Sequence, residues 1–153
     1  MFRLIKVGLD LMRGITAAWR HRAKLDELHT GNPGCIILSS NISESKLGKG
    51  AVIHEQVRLK GVDIENFSYV SSGSTLVNVK IGNFCSVAQG VQIGLAPHPT
   101  RNFVSTFPAF YRSENSGCRM SFRGESIYDD SIPGTVIEND VWIGSNVIIP
   151  GGI

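Results

Sequence analysis

IENFSYVSSGSTLVNVKIGNFCSVAQGVQI, residues 64–93, decides the fold. Its aliphatic residues Ile64, Val70, Leu76, Ile81, Val87 and Ile93 advance by six, six, five, six and six. An α-helix repeats at 3.6 and an isolated strand at two, so this spacing signals a repeat architecture. The same ladder runs upstream through Leu47, Ile53 and Leu59, with Ile36 and Ile42 before them, and resumes at Ile137, Ile143 and Ile149. The pattern predicts an all-β fold, a parallel β-helix with three flat faces. Each hexad supplies a short strand and a corner, and the leading aliphatic of each points inward, so that Ile64, Ile81 and Ile137 lie above one another. A second inward position four residues on reads Ala51, Val57, Ser68, Ser74, Cys85, Val91, Val141 and Val147. Glycines such as Gly50, Gly73 and Gly90 fall where the corners need backbone freedom. A β-sandwich of short strands would not hold a phase of six over so many repeats.

The chain has 153 residues, 42% of them hydrophobic and 18% charged, enough for one domain with a buried core. It lacks an apolar run of about 18 residues that could span a bilayer. Asp10 and Arg13 interrupt the opening apolar stretch, which argues against a secretory signal. Three cysteines without CxxC spacing favour reduced thiols and a cytoplasmic location. A net charge of +2 says little about partners, and no nucleic-acid partner is expected.

Residues 1–31 break from the ladder and read as a basic amphipathic helix, with Phe2, Leu4, Ile5, Leu9, Met12, Ile15 and Trp19 at roughly helical spacing. Such a segment either caps the open first rung or rests peripherally on an anionic membrane face through residues 1–30. Residues 32–153 form the β-helix, with residues 97–136 as one long excursion. Long loops that persist in compact domains usually line a site, and this one opens on His98.

The hexads IGNFCS, VAQGVQ, IENDVW and IGSNVI, interrupted by GLAPHPTRNFVSTFPAFY, resemble the hexapeptide-repeat acyltransferases. The nearest likeness is to the branch of xenobiotic (chloramphenicol- and streptogramin-type) acetyltransferases and polysaccharide O-acetyltransferases. It rests on a Gly-x-x-x-His corner, a loop with Ser-Thr-x-Pro-x-Phe-Tyr, and Asn-Asp-Val-Trp-Ile-Gly on return. The resemblance implies a left-handed β-helix, acetyl-CoA as co-substrate, no metal, and a homotrimer with its sites between subunits. It further implies transfer to a hydroxyl; the basic segment 1–30, which could bring the enzyme to a lipid-linked glycan, favours a bacterial surface polysaccharide sugar as acceptor, with a xenobiotic acceptor as the alternative.

The residues carry their own chemical argument. Acetyl transfer to an alcohol needs a base for the hydroxyl and an acid for the departing thiolate, and one imidazole can serve as both. His98, between Pro97 and Pro99, is the candidate general base, and by resemblance it matches the catalytic histidine. Backbone N–H groups at Gly144 and Ser145 are candidate oxyanion donors, and the outward-facing Trp142 a candidate surface for the coenzyme. Tyr111, Arg112, Glu114, Arg119 and Tyr128 are candidates for orienting the acceptor. His54 should lie at the surface, and Cys85, in a small inward position, should be buried and unreactive. A zinc site would need three converging histidines, which the ladder and its loop do not offer. The final segment Ile149–Ile153 stops one residue short of a hexad, whereas relatives continue with further hexads. The expectation is a truncated chain with an incomplete coenzyme site, and the non-enzymatic alternative is an inactive β-helix serving as a structural module.

Overall fold

A computed structural model describes residues 20, 23, 26, 27, 34–38, 40–113 and 121–153. Within it twelve strands, numbered in chain order, wind into a parallel β-helix. The first face stacks β1 (Ile36–Ile37), β4 (Val52–Ile53), β6 (Tyr69–Val70), β8 (Ser86–Val87) and β11 (Trp142–Ile143). The second stacks β2 (Asn41–Ser43), β5 (Arg58–Ile64), β7 (Thr75–Ile81), β9 (Gln92–Leu95) and β12 (Ile148–Pro150). The third is built from β3 (Lys46–Leu47), the later halves of β5 and β7, and β10 (Thr135–Ile137). Partners along the first face are 16, 17 and 17 residues apart. The next step, Ser86 to Trp142, is 56, so 39 residues are inserted into a rung of 17.

Inside the prism the ladder residues form columns. Ile64 pairs with Ile81 and Ile81 with Ile137, while Ile53, Val70 and Val87 make a fully buried column on the first face. Each such side chain contributes about 1.5–3 kcal/mol relative to exposure. On the last rung Val147 is 38% exposed and Ile149 only partly buried, because no described strand lies beyond them.

Two expectations need correction. The first rung is entered by Ile37, 6% exposed, and not by Ile36, 53% exposed, because the register sets Ile37 on Ile53 and Ile36 on Val52. The step from Ile37 to Ile42 is therefore five. At the corner crossed by a five-residue step, the second inward residue comes three positions on rather than four: Val62 and Val79, both buried. There β5 and β7 run through the bend as single seven-residue strands, turning at Gly61 (φ +63°) and Asn78 (φ +54°).

Glycine is also less necessary at the corners than its abundance suggests. Gln56, Phe67, Phe84, Asp140 and Asn146 all take positive φ, between +57° and +60°. Neighbouring rungs compensate this strain. The rings of Phe67 and Phe84 stack at 5.5 Å and 11°, with Gly50 leaving room beneath Phe67. Beside them runs an asparagine ladder: Asn66 Oδ1 accepts the Lys49 N–H at 2.9 Å, Asn83 Oδ1 the Asn66 N–H at 3.1 Å, and Asn139 Oδ1 the Asn83 N–H at 2.8 Å. Asn83→Ala removes the middle link and should cost about 1–2 kcal/mol, read as a lower urea midpoint. An unchanged midpoint would mean that water replaces the ladder without loss.

Of the predicted N-terminal helix, Arg20, Ala23, Asp26 and Glu27 are helical and exposed, and the remainder lies outside the described residues. No described helix is long and apolar enough to cross a membrane.

Candidate active site

The excursion follows β9, whose Gly94 sits beside Val77 on β7 with φ +80°. A Cβ there would overlap the Val77 carbonyl oxygen and stand 2.9 Å from its carbon, so the exit requires glycine. The next residues project from the prism, with His98 exposed and Pro99 buried behind it. His98, Pro99, Thr100, Arg101, Asn102, Phe103 and Tyr128 line a cleft of about 180 Å³.

The excursion has its own small core. Phe103, Tyr111 and Tyr128 meet edge to face, with centroids 5.3–6.0 Å apart. Such pairs contribute about 0.5–1.5 kcal/mol beyond their area. A 3-10 turn, Pro108–Phe110, buries Ala109 completely, and the Ala109 carbonyl accepts the Phe122 N–H at 2.9 Å. The Tyr111 carbonyl likewise accepts the Ile127 N–H at 2.9 Å, and the Arg112 guanidinium pairs with Asp130. On the return, Asp129 accepts the Ser131 N–H at 2.9 Å, which holds its carboxyl below the usual carboxylate range. Asn78 Nδ2 then donates to the Ile132 carbonyl at 2.8 Å, tying the loop to the bend of β7 before β10 starts.

The predicted residues fall into separate places. His98 and Tyr128 share the cleft. Tyr111 touches Tyr128 but is only 2% exposed, so its ring supports the cleft wall and presents almost no surface to an acceptor. Arg112 is engaged by Asp130. Trp142, 76% exposed, stands on the first face beside Ser86, with Gly144 and Ser145 at the following corner; none of the three lines the cleft. Glu114, Cys118 and Arg119 lie outside the described residues. His54 is half-buried at the edge of Tyr69. Cys85 is 1% exposed, and its thiol donates to the Glu138 carbonyl at 2.9 Å. Among the described residues no group of three or more His, Cys, Asp or Glu could hold a metal ion. Sequence reasoning passed over Arg101, Asn102 and Phe103 as cleft residues, although all three follow His98 within five positions.

No family model matches the chain, and no solved structure matches it. Among curated proteins it is similar to a chloramphenicol acetyltransferase of Escherichia coli, 29% identical over 124 residues, covering 69% of this chain and 57% of the relative. A chloramphenicol acetyltransferase of Klebsiella aerogenes is 27% identical over the same shares of each chain. One from Agrobacterium fabrum is 39% identical over 75 residues, 48% of this chain and 34% of the relative. The chain thus spans a little over half the length of the first two relatives. These similarities and the parallel β-solenoid together fit a hexapeptide-repeat acetyltransferase.

Proposed function

We propose that the protein is an O-acetyltransferase that uses acetyl-CoA, with His98 as its general base. The observation that carries this reading is His98 exposed at a cleft built by the inserted loop, in a chain similar to chloramphenicol acetyltransferases. Acetyl-CoA supplies an activated acetyl thioester. The imidazole takes the proton of the acceptor hydroxyl as the new C–O bond forms, and returns it to the thiolate as the C–S bond breaks. The N–H groups of Gly144 and Ser145 serve the oxyanion, and Trp142 offers an indole face to the pantetheine arm. Since neither lies in the cleft at His98, the complete site takes its donor half from another copy of the chain, in keeping with a homotrimer.

The relatives' names make chloramphenicol the first acceptor to test. A surface-polysaccharide sugar is the second; its support was the basic segment 1–30, which lies almost wholly outside the described residues. Thiol release from acetyl-CoA should depend on an added hydroxylic acceptor, with the acetyl ester recovered by mass spectrometry. If acetyl-CoA does not bind and no acceptor promotes thiol release, the structural-module reading takes its place.

A further inference from the structure

Among the described residues, the cleft at His98 is lined by one fixed cation and no carboxylate. Arg101 lines it together with Asn102, Thr100 and Tyr128, all able to donate hydrogen bonds. Two acids lie close in sequence to Tyr128, yet neither lines the cleft. Asp130 is taken by Arg112, and Asp129 is turned into its own return bend by the Ser131 N–H. The loop therefore neutralises Arg112 internally and leaves Arg101 beside the proposed base. At about 180 Å³ the part of the cleft formed by one copy is also smaller than the roughly 300 Å³ at which drug-sized sites begin, so by itself it holds the reacting end of an acceptor.

We propose that Arg101 makes the enzyme selective for acceptors carrying an oxyanion, a carboxylate or a phosphate, next to the hydroxyl that is acetylated. The guanidinium presents a planar fork matched to either group, and charge-assisted hydrogen bonds of this kind are among the strong ones. The inference rests on the acetyltransferase reading for its kinetic test but not for its binding test.

Matched pairs separate the two oxyanion sources: methyl glucoside against the methyl glycoside of glucuronic acid, and glucose against glucose 1-phosphate. Binding is followed by saturation-transfer NMR on the full chain, and transfer by thiol release. The wild type should prefer at least one anionic member, and Arg101→Gln should narrow the anionic-to-neutral ratio by about tenfold or more. Arg101→Lys should recover part of it, whereas Arg58→Gln, on the second face away from the cleft, should leave the ratio as it was. Equal binding of neutral and anionic members by the wild type would overturn the proposal. So would an Arg101→Gln effect confined to the KM for acetyl-CoA, which would assign the guanidinium to the donor. Absence of transfer with anion-selective binding intact would count against the acetyltransferase reading alone.

Discussion

Replacing His98 by alanine should lower kcat for acetyl transfer by about 10²–10⁴, the usual contribution of a positioned general acid–base. The same change should move the melting temperature by no more than about 2 °C, because the side chain is exposed and the backbone beside it is anchored by buried Pro99. The pairing of these outcomes is what identifies the residue. A large loss of activity with a large loss of stability would mean that His98 supports the loop. A small loss of both would make it a bystander, and equal thiol release by the two proteins would remove it from the mechanism. KM for acetyl-CoA should change little, since the imidazole acts on the proton in flight and not on the bulk of the donor.

How far the chain could be read without coordinates depended on the range of the interactions involved. The ladder was legible because in and out recur along the chain itself, and the columns Ile53–Val70–Val87 and Ile64–Ile81–Ile137 follow from counting. Counting failed by one at Ile36, where the step of six to Ile42 favoured the wrong one of two adjacent isoleucines and only pairing with β4 selects Ile37. It also missed Val62 and Val79, since a five-residue step shortens the corner and moves the inward position. In the excursion no period exists, and contacts such as Tyr111 with Tyr128 or Arg112 with Asp130 join residues that only the folded loop brings together. His98 stands out because it lies at the break in the ladder, whereas Arg101 could not be weighed until Asp129 and Asp130 were seen to be engaged elsewhere. Tyr111 illustrates the same limit from the other side: an aromatic in a site loop looks like a ligand contact until its burial is known.

The exit from the prism supplies the second large effect. Gly94→Ala should destabilise the protein by about 3–5 kcal/mol, within the range of the severest single substitutions. About 1–2 kcal/mol of this comes from forcing an L-residue to keep φ near +80°. The rest comes from the Cβ, which meets the backbone of Val77 and not a side chain that could rotate away, so β9 must separate from β7 or the loop must leave at another angle. Either response moves the segment that carries His98, and small misplacements of a catalytic group can cost about a hundredfold in rate. Gly73→Ala is the matched control. Its φ is +74°, but nothing lies within 4 Å of the added carbon, so it carries the conformational cost without the collision. In urea titrations Gly94→Ala should lose far more stability than Gly73→Ala, and only the former should lose activity under conditions where both are folded. Equal losses would show that backbone strain alone accounts for the glycine, and that β9 tolerates a side chain at the point where the loop departs.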